Sequence, residues 1–231
     1  MRQIKLLMSI ALLAVGVAVA GAVENKADGG YDWPGLAVGV KAGTLGLGGD
    51  LTVGVGRYVN LRAGATLFAF TMNRTIEDVD YRVEFDLVTF PLLLDLHPFA
   101  NNFRISGGLV MHGPAKADLS ARPNKDVTIG NHKYSPAVIG ELSGSIEAGR
   151  KMAPYLGIGY GNAVGPDTRW SFVFDLGLIF QTYDVDLSAD GPGMLYPPFV
   201  EDLERERQKL QDDVDDFKLY PVLAFGLAYH F

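Results

Sequence analysis

Charged residues recur at alternate positions of several apolar segments, as in a strand with one apolar and one mixed face. Carboxylates and guanidinium groups gathered inside a narrow tube could form a polar path for small charged solutes. They could equally form a network of paired charges that fills the tube, and we favour this second interpretation, because buried charges have to be paired in any case. The predicted interior set is Asp50, Arg62, Arg82, Glu84, Asp86, Arg104, Asp175 and Lys218.

The segment 201–216 is the second candidate site, with eight acidic and three basic residues. Leu203, Leu210 and Val214 lie seven and four residues apart, which predicts a short helix. Its acids could concentrate cations over a barrel mouth or bind divalent ions that bridge lipopolysaccharide, but a solvated helix is the preferred interpretation. The segment lacks the glycine and ligand spacing of an EF-hand, so we predict no metal and no cofactor. The acidic set is Glu201, Asp202, Glu204, Glu206, Asp212, Asp213, Asp215 and Asp216.

Hydrolytic chemistry is not supported by the serine and histidine positions. A serine nucleophile needs a histidine within hydrogen-bond reach, and Ser106 and His112 are six residues apart on one strand face, roughly 20 Å at the rise of a strand. Neither G-x-S-x-G nor H-E-x-x-H occurs in the sequence. We therefore predict that the protein is not an enzyme.

Eight alternating segments organise the chain after residue 34. They lie at 35–42, 45–56, 58–72, 80–95, 102–117, 152–162, 169–184 and 217–231. In the fourth segment the apolar positions change from odd numbers, ending at Leu87, to even numbers, starting at Phe90. A β-bulge at Pro91 would explain this change. A hairpin at 128–134 is too short to span a membrane, so we expect eight strands rather than ten.

These features predict an all-β fold, an eight-stranded antiparallel transmembrane β-barrel over residues 35–231 with one short acidic helix in the last extracellular loop. In a soluble sandwich the charge-free faces would pack on each other, whereas in a membrane barrel they face lipid. Three features favour the barrel: Gly accompanies the charges on the second face, aromatic residues cluster at strand ends, and a predicted secretion signal precedes the strands. The long loops 118–150 and 185–216 would lie outside the cell, and the short turns on the periplasmic side.

The N-terminus predicts export. Residues 1–20 have a basic start, an apolar core from Leu6 to Val19 and an Ala18-Val19-Ala20 end, which is typical of a cleavable signal peptide; an uncleaved helical anchor is the alternative. Residues 21–34 form a polar leader. Cleavage would leave 18 basic against 27 acidic residues, a formal charge of −9, which disfavours nucleic acid as a partner.

Several segments carry a resemblance to known proteins: the Gly-rich strands, Ala-Pro-Tyr-Leu-Gly-Ile-Gly-Tyr-Gly at 153–161, Trp-Ser-Phe-Val-Phe-Asp-Leu-Gly at 170–177 and the final Tyr-His-Phe. Together they resemble small proteobacterial outer-membrane β-barrels of the OmpW/OmpX/OmpA-like type, and look closest to CarO-like ornithine-uptake porins. The resemblance implies a Gram-negative outer-membrane location and insertion by the barrel-assembly machinery. The assembly signal would be Phe225, Leu227, Tyr229 and Phe231.

Two functions remain open from the sequence. One is a narrow porin that transports small solutes, with cations as one candidate class. The alternative is a non-conducting structural or surface-interaction barrel that binds lipopolysaccharide or external partners through its loops. Both stay open because barrel architecture by itself does not specify cargo. Outer-membrane lipids are expected partners under both hypotheses, because either barrel would be embedded in the membrane.

Overall fold

A computed structural model describes residues 35–76, 79–165 and 169–231. The predicted signal peptide and polar leader lie outside the described residues. The described part contains twelve strands, two α-helices and one 3₁₀ turn. They are β1 (Leu36–Gly43), β2 (Gly46–Gly54), β3 (Val59–Ile76), β4 (Val79–Leu96), β5 (Phe103–Pro123), β6 (Val127–Ile129), β7 (His132–Tyr134), α1 (Pro136–Ile139), β8 (Leu142–Ala148), β9 (Met152–Tyr160), β10 (Trp170–Phe180), β11 (Tyr183–Ala189), the 3₁₀ turn Pro192–Leu195, α2 (Pro197–Asp215) and β12 (Leu219–His230).

Eight of these strands close into a ring. All neighbours are antiparallel, in the order β1, β2, β3, β4, β5, β9, β10, β12 and back to β1. The last strand, β12, pairs on one side with β1 and on the other with β10. Closure leaves no free strand edge within the ring, as a strand assembly in hydrocarbon requires. The predicted eight-stranded barrel is confirmed.

The outer surface of this ring is apolar. Val40 is 67% exposed, Leu67 is 62% exposed and Phe172 is 82% exposed, and all three face away from the barrel interior. A belt of large exposed apolar side chains around a closed barrel is a lipid-facing surface. Within the described residues no helix combines the length and apolarity needed to cross a membrane.

One side of the barrel wall is taller than the other. β1 and β2 join at residues 44–45, whereas β3, β4 and β5 continue beyond that level and are extended by β8 and β11 in an open sheet. We call this the loop end; the opposite, turn end carries the short connections at 55–58 and 97–102 and the segment 161–165 that follows β9. The lower part of β5 pairs with β9 and its upper part with β8, so β8 and β9 follow one strand path with a break at 149–151.

The predicted bulge at Pro91 is wrong. Pro91 lies within the ladder opposite Val110, and the register shift falls between Leu87 and Thr89. Their partners on β5 are Ala115 and His112, so the extra residue is on β5, at 113–114. Along β4 the odd-numbered residues face inward throughout. Above the lipid the outside of the wall meets water, and the apolar side chains therefore turn to the inner face.

Helix α2 and the hairpin of β6 and β7 form a cap at the loop end. Phe199 and Leu203 of α2 are buried with Ile129, Tyr134 and Ile139 in a small apolar cluster. Of the apolar positions that predicted the helix, Leu203 is buried and Leu210 is 40% exposed. The face that contacts the protein repeats every four residues, at 199, 203, 207 and 211.

The same helix covers the free edge of β11. Gln211 accepts a hydrogen bond from the Val185 backbone amide over 2.9 Å and donates one to the Tyr183 carbonyl over 2.8 Å. Arg207 donates to the Val185 carbonyl over 3.3 Å. The unpaired backbone groups of an exposed strand edge can pair with a strand of another chain. In β11 the side chains of Gln211 and Arg207 bond to these groups.

Candidate functional site

Arg62 lies at the centre of a charge network inside the ring. Its Nη1 is 2.8 Å from Oδ2 of Asp175 and its Nε is 2.9 Å from Oδ2 of Asp95. Nη2 donates hydrogen bonds to Oδ1 of Asp175 over 3.1 Å and to Oδ1 of Asp95 over 3.0 Å. The guanidinium fork therefore bridges two carboxylates from opposite walls, a geometry that its five N–H donors allow.

Arg104 completes the other side of the network. Its Nη2 donates to Oδ1 of Asp175 over 2.8 Å, while Nη1 donates to the Gly161 carbonyl. Ser106 donates to Oδ1 of Asp95 over 2.5 Å, so this hydroxyl is engaged by a carboxylate. The two arginines thus hold Asp95 and Asp175 from both sides.

Lys41 and Asp50 form the third part of the network. Nζ of Lys41 is 2.7 Å from Oδ1 of Asp50, and Oδ2 of Asp50 is 3.9 Å from Nη1 of Arg62. The six side chains carry three positive and three negative charges, and each is at most 9% exposed. Such a neutral cluster, in which each charge has an opposite charge within 4.0 Å, can remain charged away from water. Removal of one member would leave an uncompensated charge.

Of the eight predicted interior residues, four come together in this network: Asp50, Arg62, Arg104 and Asp175. The placement of Arg82, Glu84 and Asp86 inside the barrel is wrong. Phe85 and Leu87 line the interior, so the alternate residues face outward. Nε of Arg82 donates to Oε1 of Glu84 over 2.6 Å on that exposed face. Lys218 precedes β12 and is exposed.

Sequence reasoning left Lys41 and Asp95 out of the predicted set. The signal for Lys41 is its position in β1, where Val38 and Val40 face lipid and the next residue must face inward. Asp95 follows the even-numbered apolar residues of β4 and has inward parity for the same reason. Extending the alternation to the strand end would have found Lys41, and the even-numbered apolar set that starts at Phe90 already gives Asp95 an inward position.

An apolar layer lies above the charge network, toward the loop end. It consists of Leu45, Leu87, Leu93, Val110, Ala153, Tyr155, Ile179 and Val222, each at most 9% exposed. The Tyr155 ring lies over the neighbouring strand β10, since a Cβ added at Gly177 would lie 2.6 Å from it. This position therefore accommodates only glycine without displacing the ring. Together the two layers fill the ring.

Three cavities are stacked along this filled interior. The one at the loop end has about 90 Å³, the next about 30 Å³ and the one nearest the turn end about 20 Å³. Leu45 lines the first and the second, and Arg62 lines the second and the third. A water needs roughly 10–15 Å³ of such space, so the two lower cavities hold no more than a few waters.

The turn end is closed by a neutral hydrogen-bonded group. Nδ2 of Asn60 is 3.1 Å from Nε2 of His97 and also 3.1 Å from Oδ1 of Asn162. Nδ1 of His97 is 3.0 Å from the Asn101 carbonyl. Because a carbonyl can only accept, this geometry places the proton of His97 on Nδ1 and leaves Nε2 to accept from Asn60.

In the predicted acidic set, Asp202 differs from the other seven residues. It is fully buried and accepts hydrogen bonds from Nδ1 of His132 over 2.6 Å and from Oη of Tyr134 over 2.8 Å. These donors, His132 first and then Tyr134, lower the pKa of Asp202 below its ordinary value. Burial and the bond to Asp202 raise the pKa of Tyr134 to about 12. Asp202 thus ties the helix to the β6–β7 hairpin.

The remaining acids of α2 lie on its outer surface. Three make helical ion pairs with the basic residues that alternate with them: Glu201 with Arg205 at 3.8 Å, Glu204 with Arg207 at 2.7 Å and Glu206 with Lys209 at 3.3 Å. Asp212, Asp213, Asp215 and Asp216 are exposed near the end of the helix. No group of three His, Cys, Asp or Glu residues that could hold a metal lies in the part of the chain that the structure describes.

The filled, tall-walled barrel can be compared with known proteins. No family model matches the sequence, and no curated protein sequence matches it. The crystal structure of Acinetobacter baumannii CarO2 aligns with a TM-score of 0.61 at 18% identity, over 87% of this chain and 100% of that one. The chain has the CarO-type barrel fold. A. baumannii CarO aligns with a TM-score of 0.57 at 19% identity, over 86% of this chain and 98% of that one.

The CarO-type fold confirms the architecture predicted from the strand motifs and the terminal Tyr-His-Phe. The two alignments cover 87% and 86% of the chain. The likeness concerns the backbone and does not assign roles to individual interior side chains.

Proposed function

We propose that this protein is an outer-membrane β-barrel that does not conduct solutes through its interior and acts from its loop end, as a surface-interaction barrel. The observation that carries the proposal is the double filling of the ring by a neutral network of six charges and an apolar layer above it. A porin keeps a continuous aqueous passage, and here the two lower cavities hold only a few waters each.

The outer wall of the loop end supports an interaction with lipid headgroups. Above the apolar belt the outward positions carry charges of both signs. Nζ of Lys116 is 3.0 Å from Asp118 and 3.4 Å from Glu147, and Arg122 is 2.6 Å from Glu141. Lipopolysaccharide presents phosphate and sugar groups bridged by divalent cations at this level. We infer that this charged band contacts the outer leaflet and that the cap stands beyond it, outside the cell.

Single-channel recording tests the proposal. The mature protein, refolded and inserted into planar bilayers, is expected to give no steady ionic current. Liposomes that carry the protein in their membrane are expected not to swell in ornithine or lysine solutions. A known porin handled identically serves as the positive control, and heat-modifiable gel mobility shows that the barrel is folded. Steady current or swelling with the folded protein would refute the proposal.

A gated passage for small cations is the second candidate, favoured by the stacking of the cavities. They are separated by side chains and not by backbone, with Leu45 and Arg62 each lining two neighbours. Tyr155 and Val222 close the upper level. If such a gate exists, the unmodified protein gives brief openings whose frequency rises with voltage, and the openings favour cations. Neutralising the exposed acids of α2 should then lower that preference.

A further inference from the structure

A polar groove lies on the outer face of the loop-end wall, where β3, β4 and β5 rise above the rest of the barrel. It has about 430 Å³ and is larger than each of the three interior cavities. This volume falls within the roughly 300–1,000 Å³ that is typical of small-molecule sites. The lining includes Asn73, Asp80, Arg82, Ser120, Arg122 and Glu141.

The strand register brings the groove's side chains together. Arg82 of β4 lies between Asn73 of β3 and Ser120 of β5, and Asp80 of β4 lies opposite Arg122 of β5. The alternate residues of β4 and β5 line the interior of the barrel, so these side chains have outward positions. The ladder of the folded sheet therefore fixes the spacing of the polar groups along the groove.

Neighbouring groups hold the charged side chains of the groove in place. Arg122 donates from Nε and Nη2 to Oε2 of Glu141 over 2.8 and 2.6 Å, and the Glu141 backbone amide donates to Oδ1 of Asp190 over 2.6 Å. Nε of Arg82 donates to Oε1 of Glu84 over 2.6 Å. A side chain that is already ordered loses less conformational freedom when it binds a ligand. The groove therefore presents its donors and acceptors in fixed positions.

The formal charges of the groove cancel. Arg82 and Arg122 contribute two positive charges, and Asp80 and Glu141 contribute two negative charges. A phosphate group would meet both carboxylates and a cation would meet both guanidinium groups, so neither sign of charge is favoured. Hydroxyl groups both donate and accept hydrogen bonds, and they match a lining that mixes guanidinium, carboxylate, amide and hydroxyl groups. The lining therefore favours an uncharged ligand with several hydroxyl groups.

The height of the groove places it above the phosphates of the outer leaflet. On the outer face of β4, Val88 is the last apolar residue toward the loop end and Asp86 is the first charged one. Arg82 and Asp80 lie four and six residues beyond Asp86, roughly 13–20 Å along a strand at about 3.3 Å per residue. At a strand tilt of about 40° this distance is still about 10–15 Å of height, whereas the headgroup layer of a bilayer is about 5–8 Å thick.

We infer that this groove binds the sugar part of a lipopolysaccharide molecule embedded in the same leaflet. The lipid phosphates would lie lower, near Lys116 and Asp86, which are opposite each other on β5 and β4. The inference rests on the proposed function, because it names what the loop-end wall contacts, but it does not depend on the filled interior. Sugar binding by a barrel that conducts would refute the proposed function alone, and a closed barrel without sugar binding would refute this inference alone.

The probe is the core oligosaccharide cut from rough lipopolysaccharide and dephosphorylated, so that no phosphate takes part in binding. The full mature protein is placed in phosphatidylcholine nanodiscs, and saturation-transfer difference NMR measures binding of the oligosaccharide. Binding is expected to saturate at roughly millimolar concentration, as for a ligand held by a few hydrogen bonds. Empty nanodiscs of the same lipid measure binding to the bilayer.

Substitutions in the groove test its individual groups. Arg82→Met and Asn73→Leu each remove hydrogen-bonding groups and should each weaken binding roughly threefold to tenfold, the effect of about one hydrogen bond. Ser120→Trp should abolish binding, because the indole ring would fill the groove. Ser145→Val is the matched control: Ser145 lies on the same outer face, opposite Asp118 and outside the groove, and its substitution should change nothing.

Competition identifies the source of the sugar. Rough lipopolysaccharide in the nanodisc should displace the oligosaccharide, whereas lipid A, which has the phosphates and acyl chains but no core, should not. The inference is overturned by the absence of a saturable signal, by displacement with lipid A, by a failure of rough lipopolysaccharide to displace, or by unchanged binding in both Arg82→Met and Asn73→Leu. Gel mobility and unfolding in urea show that each variant is folded, and these two variants test the groove should Ser120→Trp fail to fold.

Discussion

Arg62 and Arg82 look alike in the sequence, and both are predicted interior cations, yet the structure gives them opposite surroundings. The side chain of Arg62 is 6% exposed and contacts Asp95 and Asp175. The side chain of Arg82 is 59% exposed and pairs with Glu84 on the outer wall. We therefore expect Arg62→Met to be strongly destabilising and Arg82→Met to be nearly neutral.

The magnitudes follow from the two environments. Removal of one partner from a buried ion pair costs about 3–5 kcal/mol, because it leaves a buried charge without compensation. An exposed pair contributes about 0–1 kcal/mol. With a urea slope of about 2 kcal/mol/M, Arg62→Met should lower the unfolding midpoint by roughly 1.5–2.5 M, and Arg82→Met by less than about 0.5 M.

The assay is equilibrium unfolding in urea of protein reconstituted in lipid vesicles, followed by tryptophan fluorescence and by gel mobility. Arg62→Lys is the intermediate variant: it keeps the charge but cannot bridge two carboxylates with a planar fork, so its loss should be partial. Equal midpoints for Arg62→Met and Arg82→Met would refute the assigned faces of β3 and β4. A combined Arg62→Met, Asp175→Asn variant should recover part of the loss, since it removes an uncompensated charge.

Two further predictions concern the cap and the apolar layer. The lowered pKa of Asp202 means that its stabilising effect is present above the unfolded carboxyl pKa of about 3.9 and is lost as the pH falls through the lower folded value. The protection factors of the α2 amides, which compare their exchange with that of an unfolded chain at the same pH, should therefore fall in acid. In Asp202→Asn the protection factors should already be low at neutral pH and lose most of their acid dependence, and unchanged protection would contradict the proposed tie to the hairpin. Gly177→Val should displace the Tyr155 ring and lower the urea midpoint by roughly 0.5–1.5 M, the effect of about 1–3 kcal/mol of overpacking, whereas Gly56→Ala, where an added Cβ meets nothing within 4 Å, is the control.

The alternation of β9, β10 and β12 could be read directly from the sequence. Leu156, Ile158, Phe172 and Phe225 face outward, as their positions predict, because these strands lie wholly within the lipid-facing ring. The same rule failed on the upper part of β4. There the pattern of apolar residues is equally regular, but the apolar face is the inner one, since the wall has left the membrane.

In the charge network, too, the local sequence predicts the face of each residue but not its partner. That Arg62, Arg104 and Asp175 face inward follows from their place between lipid-facing residues. Their pairing joins β3, β5 and β10, and depends on the ring order and on the stagger of the strands. Neither quantity is encoded in local alternation. The pairing of Lys41 with Asp50 is local by contrast, because the register of the β1–β2 hairpin places Asp50 opposite Gly39, two residues from Lys41.

The sequence by itself determined that the chain forms eight antiparallel strands around a narrow interior, because a period of two and turn residues are local properties of a strand. Only the tertiary structure decided where the membrane-facing surface ends, which charges meet and which distant residues line one cavity. All three properties depend on the height of each strand relative to its neighbours in the barrel. Gln181 and His112 illustrate the difference: they lie 69 positions apart in the chain, and only the folded wall brings them to one cavity.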